Sequence, residues 1–420
     1  MYIYKFGGAS VKDAAAVKNV IEILQQHLQK NTLIVISAMG KTTNALEEVV
    51  NNYIAKNENW LSKLDEIEQF HKKIVANLYF KNEENVLQQI SAQVENCKAF
   101  LEKNNNPSYN FIYDQVVSLG EFLSTIIVAA YAKDCGLNAL WLDAKTCIYT
   151  DNAYTEGKIN WDKTNAAIQQ IVPPLLQNNF VITQGFVGMS DEGFTTTLGR
   201  EGSDYTAAVF SFCLDATQMT VWKDVAGIMN ADPKAFSDAQ FISELTYTEA
   251  IEMTYYGASV IHPKTIKPLQ NKNIPMEVRS FVDYQKKGTF ISSQANTNFL
   301  PPIIISKKNQ MLLSFSTKDF SFIAEDHLIE LFDSFAKNRL RINMMQNAAI
   351  SFSVCIDNKK EKIDAVIESL SPHFSIVRNE QLELLTIRHY YEGIVSKLTE
   401  NKDVLLRQIS RNTIQVLMRG

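Results

Sequence analysis

The sequence predicts an α/β protein: a three-layer αβα arrangement built on a mostly parallel sheet, followed by a smaller α+β region. Three observations carry this expectation. Over roughly the first 295 residues, short apolar runs rich in β-branched and aromatic residues alternate with longer runs at helical spacing, the pattern of a sheet covered by helices on both faces. In the stretch "QANTNFLPP", about residues 295–302, the grain changes to shorter strands and helices with no cluster of catalytic residue types. Finally, 420 residues that are 46% apolar exceed one ordinary core and ask for two or three domains.

Taken in order, "YIYKF" and "TLIVISA" read as strands. The intervening "VKDAAAVKNVIEILQQHLQK" places Val17, Val20, Ile21, Leu24 and Leu28 on one helical face, and the spacing predicts a helix from Ser10 or Val11 onward. Residues 42–104 read as a polar helical insertion carrying one or two antiparallel pairs. Gln115 to Lys133 reads as one further helix. "NALWLDA", "FVITQGFVG", "QMTVWKDV" and "PMEVRSF" are strands, and His262-Pro263 reads as a helix start. The predicted division is 1–297 for the first region and 303–420 for the second. In the second, "QMLLSFS", "AAISFSVCID", "LELLTIR" and "TIQVLMR" are strands, and "DHLIELFDSFAKN", "KIDAVIESL" and "YEGIVSKLTE" are helices.

Composition narrows the function. A net charge of −5, with lysines scattered among acids, argues against a nucleic-acid or polybasic membrane surface. The longest apolar runs fall short of the roughly 20 residues that span a bilayer. The first residues read as a buried strand and not as a charged leader, so a cytoplasmic location is expected. Cys97, Cys135, Cys147, Cys213 and Cys355 lie far apart without a C-x-x-C pair, as reduced thiols do. The six histidines lack metal-ligand spacing.

The chemistry-bearing stretches begin with "YKFGGASV". Gly7 and Gly8 after a strand let backbone N–H groups approach an anion, and Lys5 adds a full positive charge, which suits a phosphate. A tight turn beside a solvated edge lysine has the same signature, and the stretch is not a Walker A loop. "TTTLGREGSDYTAA" sets Gly199, Arg200, Gly202, Ser203 and Asp204 ahead of a helix expected near Tyr205. Arg200 offers a fork for a carboxylate, and Ser203-Asp204 also fits a plain helix cap. "VWKDVAGIMNADPK" follows another strand and puts Asp224, Gly227, Asp232, Pro233 and Lys234 at the carboxyl edge of the sheet, where α/β proteins bind ligands. "VVSLGEFLS" places Glu121 among apolar neighbours, where an acid is either paired or bound to a ligand.

Six ordered stretches, "KFGGAS", "SAMGKTTNAL", "VVSLGEFLS", "TTTLGREGSDYTAA", "VWKDVAGIMNADP" and "YYGASVIHPKTI", together resemble the aspartate kinases of the amino acid kinase superfamily, over Met1 to about residue 295. The remainder resembles the paired ACT domains that follow the kinase, with a shortened end. The resemblance implies an amino acid kinase fold followed by an ACT-type regulatory region. It implies transfer of the ATP γ-phosphoryl group to the β-carboxylate of L-aspartate, the first step toward lysine, threonine, methionine and diaminopimelate. In the family's pattern, Lys5 and Asp204 are catalytic. Lys5, Gly7, Gly8, Ser10, Ser37, Lys223, Asp224, Met229 and Lys234 fall on the phosphate and nucleotide side. Thr43, Glu121, Arg200 and Ser203 fall on the substrate side, with Glu121 on the amino group and Arg200 on the α-carboxylate. Mg²⁺ is expected on the ATP phosphates with Asp204 near it, and a homodimer through the ACT region with an amino-acid effector is the family norm. No G-x-G-x-x-G region follows, which implies a monofunctional kinase.

The acceptor carboxylate is already ionised at neutral pH, so the chemistry asks for no general base. Alignment and charge neutralisation remain. Several positions depart from the family pattern: Ala9 for Thr, Glu201 for Gly, Lys223 for Thr or Ser, Met229 for Tyr, and Ser259 for a nucleotide-reaching Lys. The loop "INMMQNAAIS" lacks the Thr-Ser-Glu type residues of lysine-sensitive members. Two rivals stand beside this reading: another amino acid kinase acting on glutamate, and a silent amino-acid sensor.

Overall fold

The computed structural model describes every residue except 259–260, 297–299, 320 and 420, so the Ser259 position lies outside the described residues. The chain divides into two compact units. One comprises residues 1–228, 241–251 and 260–297, and the other residues 229–240, 252–259 and 298–420.

The first unit is built on an eight-stranded sheet in the order Glu244–Leu245, Thr289–Ile291, Met276–Ser280, Gln218–Lys223, Tyr2–Phe6, Thr32–Ile36, Phe180–Gln184, Ala139–Leu142. Every pairing is parallel except that of Met276–Ser280 with Thr289–Ile291. The opening strand is central, with Lys5 in register with Val35 on one side and Val221 on the other. Its neighbours are almost wholly buried because helices cover both faces. Phe6 and Trp222 stack in the core with centroids 5.7 Å apart. Because these strands run parallel, the chain leaves Phe6, Ile36, Gln184 and Lys223 along one edge of the sheet.

The helices differ in detail from the sequence expectation. The first α-helix is Ala14–His27, capped by Asp13, whose Oδ1 accepts from the Ala16 N–H at 2.8 Å. Before it, Gly8–Val11 form one 3₁₀ turn, so the helix begins later than Ser10. The insertion is three helices, Thr42–Ile54, Asn59–Leu78 and Glu83–Lys103. The span expected as a single helix from Gln115 is two, Tyr109–Val117 and Leu119–Asp134, broken at Ser118. The Ser118 carbonyl accepts from the Glu121 and Phe122 N–H groups, which starts a new helix and puts Glu121 in its first turn. Together residues 109–134 are long and apolar enough to cross a membrane, contrary to the reading of separate short runs, but 83% of the most apolar window is buried inside the protein.

The second unit carries a six-stranded antiparallel sheet, ordered Ile342–Asn347, Phe352–Asp357, Ile303–Thr317, Phe374–Arg388, Thr413–Arg419, Asp403–Ile409. Two long strands pair at its centre, and the irregular register between Lys307 and Leu312 coincides with positive φ at Asn309 and Gln381. Helices Glu325–Lys337 and Lys360–Leu370 cover one apolar cluster, and Glu392–Thr399 packs by Val395 on a second. Residues 229–240, which the sequence reading placed in the first region, belong here. The Asn230 side chain donates to the Pro302 carbonyl at 2.9 Å, and Ala231, Phe236 and Ala239 pack with Ile304, Leu385 and Val395. All five cysteines are free thiols, and four of them are buried.

Candidate active site

The parallel edge of the first unit opens into a cleft of about 620 Å³. Lys5, Gly8, Ser37, Thr43, Glu121, Arg200, Ser203, Asp204 and Lys223 line it, so the structure brings these sequence-predicted residues together. The floor is the turn after the opening strand. A Cβ at Gly8 would stand 2.6 Å from the Ala38 carbonyl oxygen, so only glycine fits there, and the Gly40 N–H closes the corner on the Gly8 carbonyl at 3.0 Å. Gly7 flanks the Lys5 ammonium, its Cβ position 3.4 Å from Nζ. Ser10 is fully buried, and its hydroxyl donates to the Gly7 carbonyl at 2.6 Å, so it braces the glycine turn from behind.

The wall opposite is the N-terminus of the Gly202–Cys213 helix. It begins at Gly202, three residues before the position expected near Tyr205. Ser203 and Asp204 therefore stand in its first turn, and neither acts as the N-cap. Glu201 precedes it in the left-handed region at φ 53°, and its side chain makes no cap bond. Gly185 makes room for this helix: a Cβ there would lie 2.3 Å from that of Ser203.

Asp204 is the electrostatic centre. Its carboxylate lies 2.6 Å from Lys5 Nζ and 3.5 Å from Lys223 Nζ. Burial alone would push the Asp204 carboxyl up, but the two ammonium groups outweigh it and hold the group below the ordinary carboxylate range. Glu121 is the opposite case. Burial drives its carboxyl up to about 8, opposed by the Ala38 N–H and by Lys5, and its Oε2 is buried without a hydrogen-bond partner among the described residues. Arg200 reaches the cleft from an exposed position and has no ion pair among the described residues.

The remaining predicted positions stand elsewhere. Asp224 is exposed and does not line the cleft. Met229 and Lys234 belong to the 229–240 segment of the second unit, where Lys234 is exposed and its backbone N–H donates to Asp232 Oδ1 at 2.9 Å. His262 caps the Pro263–Asn271 helix by accepting from the Lys264 N–H.

Sequence reasoning missed Asp114. It is fully buried, and its carboxylate accepts from the N–H groups of Thr155 and Thr197 and from the Thr197 hydroxyl. Burial pushes its carboxyl up to about 6, and these hydrogen bonds pull it back. The available signal was an acid seven residues before Glu121 in the same apolar run, which the reasoning applied to Glu121 covers equally.

The family model for the amino acid kinase family matches residues 1–280. The lysine-sensitive aspartokinase 3 of Escherichia coli is 30% identical over 84% of this chain and 78% of its own length. The aspartokinase of Chlamydia pneumoniae is 30% identical over 83% of this chain and 76% of its own. Among solved structures, E. coli aspartokinase III in complex with aspartate and ADP superposes with a TM-score of 0.84 at 26% identity, covering 100% of this chain and 96% of that one. The same enzyme in complex with lysine and aspartate gives the same figures.

Proposed function

The chain belongs to the amino acid kinase family and is an aspartate kinase, an ATP-dependent phosphotransferase, and from that premise we propose how its cleft performs the transfer. One observation carries the proposal: a buried carboxylate oxygen on Glu121, without a hydrogen-bond partner among the described residues, faces the same cleft as Arg200, which has no ion pair among them, and a buried Lys5–Asp204 pair with the half-buried Lys223 beside it. An α-amino acid supplies an ammonium for Glu121 and a carboxylate for the Arg200 fork. Its side-chain acid is then left to face the Lys5 corner, with Thr43 and Ser203 along the wall.

At that corner Lys5 and the backbone N–H groups of the Gly7-Gly8 turn receive the transferring phosphate, while Asp204 holds both ammonium groups in place. An oxygen of the ionised β-carboxylate attacks the γ-phosphorus. The bond from phosphorus to the β,γ-bridging oxygen breaks with its electron pair going to ADP, giving 4-phospho-L-aspartate. No proton moves in this step. Alignment and charge neutralisation supply the rate.

Mg²⁺ fits as a passenger of the nucleotide. Among the described residues no three His, Cys, Asp or Glu side chains form a metal cage. Asp204 and Glu201, whose Oε2 is buried without a partner, give the cleft hard oxygen donors beside the phosphates. When bound, the ion neutralises phosphate charge. Ser37 faces the phosphates, Ser10 supports the glycine turn that receives them, and Asp224 is assigned to the nucleotide side of the same unit. We place the product at the head of lysine, threonine, methionine and diaminopimelate synthesis in the cytoplasm. We assign residues 303–420 an ACT-type role in homodimerisation and amino-acid feedback. With saturating MgATP, hydroxylamine is expected to trap aspartyl hydroxamate from aspartate and nothing from glutamate. A Glu121→Gln protein that forms hydroxamate with an unchanged aspartate KM would refute the site assignment.

A further inference from the structure

Asp114 and Gln115 are consecutive residues near the end of the Tyr109–Val117 helix, and both grip the backbone of one strand. The Gln115 side chain acts as a surrogate strand edge: its amide donates to the Thr195 carbonyl at 2.7 Å, and its carbonyl accepts from the Thr195 N–H at 3.1 Å. Two residues on, the Asp114 carboxylate accepts from the Thr197 N–H at 2.8 Å and from the Thr197 hydroxyl at 2.6 Å. The same carboxylate accepts from the Thr155 N–H at 3.0 and 3.1 Å, and Thr155 is held at a positive φ of 71°. The Gly157 N–H then ties back to the Thr197 carbonyl at 2.8 Å. Thr155 and Glu156 on one loop, and Gly199 and Arg200 on the other, line the cleft.

The gripped strand, Thr195–Thr197, runs directly into Leu198-Gly199-Arg200. The gripping helix runs through the Ser118 break into the helix that carries Glu121. One helical span, interrupted only at Ser118, therefore carries Glu121 directly and sets the base of the Arg200 loop by hydrogen bonds. We propose that Asp114, assisted by Gln115, is a positioning residue that fixes the Arg200 loop relative to Glu121 and so sets the span across which the amino acid acceptor is held. This rests on the assignment of Glu121 and Arg200 to the two ends of that acceptor. Asp114 is fully buried and does not line the cleft. Its buried carboxylate is the shared acceptor that two loops need at once, and a neutral amide at that place turns one acceptor into a donor facing an N–H.

The test is a steady-state comparison of full-length proteins. Asp114→Asn is expected to raise the aspartate KM about tenfold or more while the ATP KM stays within about twofold, a split that general loosening of the fold does not produce. Added to Arg200→Ala, it should raise the aspartate KM no further, because it acts through that arginine. An aspartate KM unchanged in Asp114→Asn, or both KM values rising together, overturns the proposal. Should Asp114→Asn fail to fold, Gln115→Leu removes only the Thr195 pair. It is expected to raise the aspartate KM about threefold with the ATP KM unmoved, and an unmoved aspartate KM overturns the idea. Arg200→Ala alone separates the two levels. If it leaves the aspartate KM untouched, the acceptor assignment has failed. If it raises that KM and Asp114→Asn does not, only the positioning role has failed.

Discussion

The two sides of the cleft solve the burial of charge in opposite ways. On the phosphate side, Asp204 is buried between two ammonium groups, so its charge is compensated before any ligand arrives and one positive charge is left over for a phosphate. On the acceptor side, Glu121 is buried with an unmet oxygen and Arg200 stands in the open, so the charges are completed only by the ligand. The first side is a preorganised electrostatic fixture, suited to stabilising a transition state without rearrangement. The second is a selectivity device: a buried acid that wants a cation, and a guanidinium that wants an anion, reject ligands lacking either group.

The largest expected break falls on the fixture. Lys5→Ala strips the closest partner from a buried carboxylate, a change that costs about 3–5 kcal/mol in such settings. It should lower kcat about 10³-fold with the aspartate KM changed less than about threefold. A kcat above a tenth of wild type would show that the two sides do not divide the work in this way.

The acceptor side is probed next by pH. The Glu121 carboxyl, ordinarily near 4.5, is raised to about 8 in the ligand-free protein. The folded state therefore holds a proton that the unfolded chain releases above about 4.5. The stabilisation is complete below that pH and is lost as pH rises toward 8. Thermal melts of the ligand-free protein should fall over this window, and Glu121→Gln should flatten that slope. An ammonium ligand needs the ionised acid, so the aspartate KM should decrease as pH climbs through 8, with proton release measurable by calorimetry in buffers of different ionisation heat.

Two smaller effects sharpen the contrast. Lys223→Ala leaves Asp204 its closer partner and should raise the ATP KM about fivefold, the loss of one charge-assisted contact at a partly open site. An unchanged value removes Lys223 from the fixture. Glu201→Gly releases a left-handed residue worth about 1 kcal/mol and should raise the melting temperature by about 2 °C. A fall in melting temperature would mean that the Glu201 side chain contributes more than its backbone costs.

Much of this was legible in the sequence where a residue type contradicts its surroundings. Lys5 between aromatics, Glu121 in an apolar run and glycines after strands all stood out, and each lines or frames the cleft. Asp114 stands in the same apolar run as Glu121, a signal that was passed over, but its partners on Thr155 and Thr197 lie 41 and 83 residues away and leave no pattern in the letters. The helix at Gly202 was placed late because Gly-Ser-Asp reads as a cap, whereas Ser203 and Asp204 stand inside its first turn and Asp204 pairs with Lys5. The two edge strands of the second sheet, Ile342–Asn347 and Asp403–Ile409, escaped notice because an edge needs no alternating apolar face, and both are largely exposed. The membership of residues 229–240 in the second unit depends on packing against residues far along the chain, which contiguity cannot reveal.

The break at Ser118 has a consequence for how such a chain can vary over generations. The helix that follows it is buried at every position from Leu119 to Ala129, so it offers no tolerant side. Inserting or deleting a single residue there would turn everything beyond it by about 100°, swinging an acid out of its seat and driving others into hydrocarbon. Lineages descended from this sequence should accumulate gaps freely in the polar insertion beforehand and show none across this stretch, where phase is inherited more strictly than any one letter.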